Sequence, residues 1–117
     1  MIVGVGVDIV SIKKMERAVK RWGKFFLDKI FNNEELKKIP QGKLYYQKLA
    51  ARFAAKEAII KATSNFCFLT MKDIIILNKK NGAPFCKIKK NIDLDILISL
   101  THIPEYAVAT AVAQKKT

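Results

Sequence analysis

Four ionisable side chains at separate points of the sequence have the chemistry to handle a phosphorylated substrate. Asp8 ends a hydrophobic segment near the N-terminus, Glu57 and Lys61 lie four residues apart in a long helical segment, and His102 is the only histidine. Carboxylate oxygens are ligands that Mg²⁺ accepts, and cationic side chains neutralise phosphate oxygens. A histidine at a strand end can donate a hydrogen bond to a phosphate. These residue types are typical of a site for an anionic ligand with Mg²⁺.

Each of these residues also has an ordinary structural interpretation. Asp8 could cap the helix that follows it, as aspartate often does. Glu57 and Lys61 could form a simple surface pair, worth about 0.2–0.5 kcal/mol at this spacing. His102 could be a satisfied structural histidine at the end of its strand. Taken one residue at a time, the sequence leaves these alternatives open.

The segment around Glu57 is more specific. The sequence predicts a helix over Lys43–Ala62 that contains no glycine or proline, and its second half is apolar on nearly every side. Such a helix is central and mostly buried. A carboxylate buried there without a partner would be strongly destabilising. Lys61 or a metal ion can be that partner, and Arg52 and Lys56 add a second column of cations to the helix.

The remaining periodicity predicts a β-rich fold around that helix. Val3–Ile9 alternates as a strand with Gly4, Gly6 and Asp8 on one face, where glycines leave space for a ligand or another backbone. We therefore expect an α+β fold, a mainly antiparallel sheet wrapped around one long central helix, as one domain over residues 1–117. The other predicted elements are a helix over Ser11–Trp22, short helical pieces over Phe25–Lys38, strands over Asp73–Leu77 and Pro84–Lys89 joined by a primed turn at Asn81-Gly82, and strands over Asp95–Thr101 and Tyr106–Ala113.

Composition restricts the classes of function. No apolar run approaches the ~18–20 residues of a membrane span, so we expect no membrane partner. The N-terminal segment is typical of a strand rather than a signal peptide, and two cysteines are expected to be thiols in a reducing cytoplasm. The net charge of +12 favours anionic partners, and nucleic acid, a phosphorylated cofactor, an acidic protein and an anionic membrane all qualify on charge alone.

The first predicted helix carries many basic residues outside its apolar stripe. A solvated face is the ordinary interpretation, and a docking surface for an acidic protein or for nucleic acid is the functional one. No aromatic residues alternate with the basic ones to stack on bases. The basic residues are Lys13, Lys14, Arg17, Lys20, Arg21 and Lys24.

Several segments together resemble bacterial holo-[acyl-carrier-protein] synthase, the small trimeric type of phosphopantetheinyl transferase. The resemblance runs from Met1 to about Ala113, and an aspartate at position 8 combined with a Phe-Ala-Ala-Lys-Glu-Ala segment is its most specific part. The matching segments are Gly4–Asp8, Arg52–Ala62, Asn81–Pro84, Ser99–His102 and Glu105–Ala107.

The resemblance implies a 4′-phosphopantetheinyl transferase fold and a role in fatty acid biosynthesis. A serine of apo-acyl carrier protein would attack the β-phosphorus of coenzyme A and release adenosine 3′,5′-bisphosphate. The active sites would lie between the subunits of a cytoplasmic homotrimer.

The resemblance also implies roles for individual residues. Mg²⁺ would be held by Asp8 and Glu57, with Glu35 near the cleft, and catalysis would involve Glu57, Lys61 and His102. Coenzyme A would contact Lys56, Lys61, Asn81, Gly82, Pro84, Thr101 and His102. The acidic carrier protein would dock on Lys13, Lys14, Arg17, Arg21 and Lys24, and no nucleic acid is expected as a partner.

The sequence departs from the family at two places. Lysine stands at position 14 where the family usually has arginine, which keeps the charge but loses the bidentate fork. The family's Gly-Thr-Gly loop after the long helix is replaced by Thr63–Phe68, which contains no glycine, so backbone contacts with coenzyme A are expected to differ. The alternative functions are a basic nucleic-acid-binding domain and a catalytically inactive trimeric relative.

Overall fold

Four α-helices, five β-strands and one short 3₁₀ helix (Met71–Asp73) follow one another along the chain, which the computed structural model describes from residue 1 to residue 117. All strand pairs are antiparallel, and the predicted α+β class is confirmed. In chain order the elements are β1 (Ile2–Ser11), α1 (Ile12–Trp22), α2 (Lys24–Ile30), α3 (Asn33–Lys37), α4 (Tyr45–Thr63), β2 (Ile74–Asn78), β3 (Pro84–Ile88), β4 (Leu94–His102) and β5 (Tyr106–Lys115).

The strands form two sheets rather than the single sheet that the sequence predicted. β1, β5 and β4 make a three-stranded sheet in that order, and β2 pairs only with β3. Within the larger sheet Asp8 lies opposite Ala109, which in turn lies opposite Leu100. Hydrophobic alternation identifies strands but does not say which strands pair, which is why the division into two sheets was not predicted.

Helix α4 is the central element, as predicted. Eleven of its 19 residues are buried. Where α4 packs on the larger sheet, buried alanines of the helix meet buried alanines of β5. Such small side chains allow a helix and a sheet to approach closely. None of the four helices is long and apolar enough to cross a bilayer. The fully or almost fully buried alanines are Ala50, Ala54, Ala55, Ala58 and Ala62 on α4 and Ala107, Ala109, Ala111 and Ala113 on β5.

β1 approaches α4 most closely at two glycines. A Cβ atom added to Gly4 would overlap the carbonyl oxygen of Ala62, and one added to Gly6 would overlap that of Ala58. No side chain therefore fits at either position. Because side chains alternate along a strand, Asp8 leaves the same face of β1 as the glycines and is directed toward α4.

Two local features differ from the predictions. Ser11, rather than Asp8, caps helix α1, because its hydroxyl accepts a hydrogen bond from the Lys14 amide at 3.2 Å. The β2–β3 connection is not a two-residue primed turn. Among its residues only Gly82 has a positive φ, of 90°, whereas a type I′ turn needs two. The loop is instead closed by the Lys79 amide, which donates to the Ala83 carbonyl at 2.8 Å.

The close contact predicts that Gly6→Ala strongly destabilises the protein. The new methyl group meets the backbone of α4, which cannot move aside as a flexible side chain would, so we expect a loss above about 3 kcal/mol in the free energy of unfolding. Denaturant unfolding at equal protein concentrations measures it. Gly82→Ala is the control, since its methyl group meets nothing and only backbone strain of about 1–2 kcal/mol is expected. Equal losses in the two variants would contradict the prediction.

Candidate active site

Asp8 and Glu57 line one cavity between β1, α1 and α4. Its volume is about 490 Å³, and Lys14, Phe26 and Phe53 also line it. Both acidic residues are partly buried, which leaves their carboxylates accessible from the cavity. The structure thus brings together the two acids that the sequence put forward as metal ligands, although they are 49 positions apart in the chain.

Lys61 lies beside these acids. Its Nζ donates to the Val7 carbonyl at 2.9 Å and to Asp8 Oδ1 at 3.2 Å. It follows Glu57 by one helical turn, so both side chains leave the same face of α4. The Lys61 side chain is 53% exposed, and exposed ion pairs contribute little to stability. Lys61 can therefore leave Asp8 and bind a more strongly anionic group with little loss of stability.

The side chains at this cavity that could ligate a metal ion suit magnesium rather than zinc. The chain contains no group of three or more histidine, cysteine, aspartate or glutamate side chains able to hold a metal ion. Structural zinc sites need four protein ligands, mainly sulfur and nitrogen. Mg²⁺ is bound through one or two carboxylates and completes its octahedron with water and substrate phosphate oxygens. Asp8 and Glu57 supply that smaller set.

Thr101 and His102 lie elsewhere, at a second and smaller cavity of about 150 Å³ that Lys48 and Arg52 also line. No residue lines both this cavity and the one at Asp8. His102 ends β4, and the central strand β5 separates β4 from β1. His102 is also exposed rather than part of the core. The predicted site residues therefore fall into two groups within one chain.

Arg52 is a cation of this second cavity that was not among the predicted ligands. Its Nη2 donates to Asn78 Oδ1 at 2.8 Å and its Nη1 to the Lys48 carbonyl at 3.3 Å, whereas its buried Nε has no partner. Burial lowers the pKa of Arg52 from its ordinary value, and Glu35 offsets part of that effect. Arg52 lines this cavity, and its guanidinium charge is suited to an anion. The sequence identified Arg52 as a cation of the long helix but did not show that it lines this cavity.

The β2–β3 loop joins this second group through Asn78. The Asn78 side chain accepts from Arg52 and donates its Nδ2 hydrogen to the Gly82 carbonyl at 2.9 Å. Asn81 and Gly82 are exposed in the same loop, and Pro84 begins β3. One chain of hydrogen bonds therefore connects Arg52 to the loop that was predicted to contact coenzyme A.

Lys56 points into the protein rather than toward a ligand. Its side chain is fully buried, and Nζ donates to Glu35 Oε1 at 2.6 Å, to the Ile30 carbonyl at 2.6 Å and to the Met71 carbonyl at 3.1 Å. These bonds use all three N–H donors of the ammonium group. Burial lowers the pKa of Lys56, and Glu35 works in the opposite direction. This corrects the predicted contact between Lys56 and coenzyme A, since no donor remains for a phosphate.

Glu35, which was predicted to lie near the cleft, is the buried partner of Lys56. It has no exposed surface, and its Oε2 accepts from the Ile76 amide at 2.9 Å. It also closes a capping box at the start of α3, where Oε1 accepts from the Asn32 amide at 2.9 Å. Glu35 therefore belongs to the core and not to the metal site.

The basic residues of α1, together with Lys24 at the start of α2, form an exposed surface next to the acidic cavity. Lys14 belongs to both, since it lines the cavity with Asp8. Lys24 pairs with Asp28 at 3.3 Å, and both side chains remain largely exposed. The exposed basic residues are Lys13, Lys14, Arg17, Lys20 and Arg21 on α1 and Lys24 on α2.

Comparison with known proteins identifies the class. The family model described as the 4′-phosphopantetheinyl transferase superfamily matches residues 4–111. The chain therefore belongs to that superfamily, which confirms the resemblance found in its sequence.

Particular relatives are holo-[acyl-carrier-protein] synthases. The chain is 40% identical over 112 residues to that of Thermodesulfovibrio yellowstonii, covering 96% of this chain and 98% of the relative. It is 42% identical over 121 residues to that of Dehalococcoides mccartyi, covering 93% of this chain and 96% of the relative.

Solved structures of such synthases share the fold. The Bacillus anthracis enzyme in complex with CoA (3′,5′-ADP) superposes with a TM-score of 0.85 at 28% identity, over 99% of both chains. The Helicobacter pylori enzyme in complex with coenzyme A gives a TM-score of 0.84 at 28% identity, over 94% of this chain and 99% of that one.

The buried ion pair predicts different outcomes for two lysines of α4. Lys56→Met leaves the Glu35 carboxylate buried without its cation, so we expect a loss of about 3–5 kcal/mol in the free energy of unfolding. Lys61→Met removes an exposed pair and should cost at most about 1 kcal/mol. Denaturant unfolding compares the two variants. Adding Glu35→Leu to Lys56→Met should recover part of the loss. A Lys56→Met variant as stable as Lys61→Met would contradict the assignment.

Proposed function

We propose that this chain transfers the 4′-phosphopantetheine group of coenzyme A to a serine of an apo-acyl carrier protein and releases adenosine 3′,5′-bisphosphate. The observation that carries the proposal is the cavity shared by Asp8 and Glu57, with Lys61 beside them, in a chain that belongs to the 4′-phosphopantetheinyl transferase superfamily. Its relatives are named for this reaction, and some are solved with coenzyme A.

In this proposal the acidic cavity holds the reacting phosphate. Asp8 and Glu57 bind Mg²⁺, which when bound supplies Lewis-acid neutralisation of the pyrophosphate. Lys61 leaves Asp8 to bind a phosphate oxygen. Glu57 would accept the serine proton as the new P–O bond forms. Phosphoryl-type transfer needs positioning and charge neutralisation rather than a covalent enzyme intermediate, and these side chains provide both.

The nucleotide half of coenzyme A binds the second group of residues, with Arg52 and His102 as its anion ligands and Thr101 next to them. Asn81, Gly82 and Pro84 border the nucleotide through the β2–β3 loop. Because one chain keeps its two cavities apart, the proposed site joins the acidic cavity of one subunit to the second cavity of a neighbouring subunit.

A homotrimer is part of the proposal, and the outer face of the larger sheet supports it. Apolar side chains on that face are more than half exposed, whereas soluble monomers rarely expose contiguous apolar patches of large size. Covering this face with copies of the same chain would bury the patch and bring different cavities together. The exposed residues are Val5 at 67%, Val7 at 55%, Ile9 at 61% and Leu97 at 60%.

The basic surface of α1 is the proposed docking site for the carrier protein. An acidic carrier is steered by opposite charge, which raises the encounter rate. Lys14 places this surface at the mouth of the acidic cavity, where the serine has to arrive. The proposal includes a cytoplasmic location, for which the free thiols Cys67 and Cys86 are the supporting observation.

Transfer is measured directly by mass spectrometry of the carrier protein. Incubation of apo-carrier with coenzyme A, Mg²⁺ and the enzyme should add the mass of phosphopantetheine, and omission of the divalent metal should prevent the addition. Glu57→Gln should abolish the mass gain because it removes a charged metal ligand and the proton acceptor. Glu34→Gln is the matched control, since Glu34 is exposed and pairs with Lys87 at 2.8 Å, away from the cavity. No mass gain with the wild-type protein under any divalent metal would refute the function.

A site shared between subunits predicts complementation between inactive variants. Glu57→Gln damages the acidic cavity and His102→Ala damages the second cavity, and the proposed site takes these two halves from neighbouring subunits. Trimers formed by co-expression therefore contain some sites with both halves intact. Random association should restore up to about a quarter of wild-type activity. Glu57→Gln mixed with Asp8→Asn is the control, because both changes fall in the same half and no site is repaired. Absence of recovery in the first mixture, with mixed trimers demonstrated, would show that the site lies within one subunit.

A further inference from the structure

Asn78 is a polar residue beside the second cavity to which the proposed function gives no role. It is the last residue of β2, and its side chain bonds to two different parts of the protein. Oδ1 accepts from Arg52 Nη2 at 2.8 Å, and Nδ2 donates to the Gly82 carbonyl at 2.9 Å. Because a guanidinium can only donate and a carbonyl can only accept, the amide has one orientation that satisfies both partners.

Asn78 is the only side chain that holds the guanidinium group of Arg52. The other hydrogen bond of that group runs from Nη1 to the backbone carbonyl of Lys48 at 3.3 Å. Together the two bonds fix the plane of the guanidinium and leave one hydrogen on each terminal nitrogen for a ligand. Arg52 lines the second cavity with Thr101 and His102, whereas Asn78 does not line it. Asn78 therefore acts on a ligand of this cavity through Arg52.

The same side chain joins the β2–β3 loop to α4. No other hydrogen bond connects α4 with β2 or with residues 79–83. Asn78 lies opposite Pro84 in the strand register, and Pro84 has no N–H to donate across the end of the loop. The bond from Asn78 to Gly82 supplies a link there instead. One amide thus holds both the guanidinium and the loop that are proposed to contact the nucleotide.

A neutral amide suits this position better than a carboxylate does. Both groups accept a hydrogen bond from a guanidinium, but a carboxylate also pairs with its charge and competes with an anionic ligand. The Asn78 amide orients Arg52 and leaves its positive charge available to the cavity.

We propose that Asn78 is a positioning residue, which holds Arg52 toward the 3′-phosphate of coenzyme A and thereby sets the preference for coenzyme A over 3′-dephospho-coenzyme A. The inference rests on the proposed function, because it takes the pyrophosphate to be held at Asp8 and Glu57. The phosphate on the ribose 3′-oxygen is then the anion that remains for Arg52 and His102. Asn78 lies away from the reacting phosphorus, so it affects binding of the donor rather than the transfer step.

A comparison of two donors tests the proposal. kcat and KM are measured, by mass spectrometry of the carrier protein, with coenzyme A and with 3′-dephospho-coenzyme A, which lacks only the phosphate assigned to Arg52. The wild-type protein should prefer coenzyme A by about 10- to 100-fold in kcat/KM, the range expected for hydrogen bonds to a charged group. In Asn78→Ala the preference should fall by about three- to tenfold, through a higher KM for coenzyme A with kcat unchanged.

A double-mutant cycle shows whether Asn78 acts through Arg52. Arg52→Met should remove most of the preference, and adding Asn78→Ala to it should change the preference by less than about twofold, because the two residues act as one unit. Thr70→Ala is the control for loosening of β2. Thr70 Oγ1 donates to Asp73 Oδ2 at 2.9 Å just before the strand, at the opposite end from Asn78. This control should leave the preference at the wild-type value.

Direct binding gives a readout that does not depend on transfer. By calorimetry, adenosine 3′,5′-bisphosphate should bind Asn78→Ala about three- to tenfold more weakly than it binds the wild-type protein. Adenosine 5′-phosphate, which lacks the 3′-phosphate, should bind both proteins equally.

A preference that stays at the wild-type value in Asn78→Ala, even with both donors slowed equally, overturns the proposal. A further loss when Asn78→Ala is added to Arg52→Met overturns it as well, and so does a wild-type protein without a preference between the donors. Each of these outcomes leaves transfer from coenzyme A intact. They are therefore distinguishable from a failure of the proposed function, in which the wild-type protein adds no mass to the carrier.

Discussion

The backbone contact between β1 and α4 is the constraint on which the candidate site depends. Gly4 and Gly6 touch carbonyl groups of the helix, and no larger residue fits there. The contact fixes the separation of strand and helix as well as the rotation of each. Asp8, next on the same strand face, then meets the helix face that carries Glu57 and Lys61. Two acids from distant parts of the sequence line one cavity because this contact holds the strand and the helix close together.

A second constraint lies beneath the site, in the buried pair of Lys56 and Glu35. Glu35 accepts hydrogen bonds from the amides of Asn32 and Ile76, and Lys56 donates to two backbone carbonyls. The pair thus satisfies polar backbone groups of several segments that surround α4. A buried ion pair is weak support for stability in general. Here its value lies in the hydrogen bonds, which fix the segments around the helix in one arrangement.

Local patterns predicted much of this structure, and the failures have a common cause. Strand alternation placed Asp8 on the glycine face, and helical spacing placed Glu57 beside Lys61. Both are properties of single elements. Lys56 adjoins Glu57 in the same motif, yet it faces the core because of what packs on the other side of α4. His102 falls in a different cavity because β5 lies between β1 and β4. Neither the packing partner nor the strand order is encoded in the spacing of one segment.

The charge of the chain shows why composition predicted a class of partner but not its place. The formal charge of +12 combines cations in three physical situations. Lys56 is neutralised inside the protein and adds nothing to the external field. The basic residues of α1 are exposed and can steer an acidic protein. At an ionic strength of about 0.1 M, salt largely screens their attraction beyond about 10 Å. Arg52 is buried at a cavity with an unused donor, where screening is weak. Burial separates these three situations, and no count of charges reveals it.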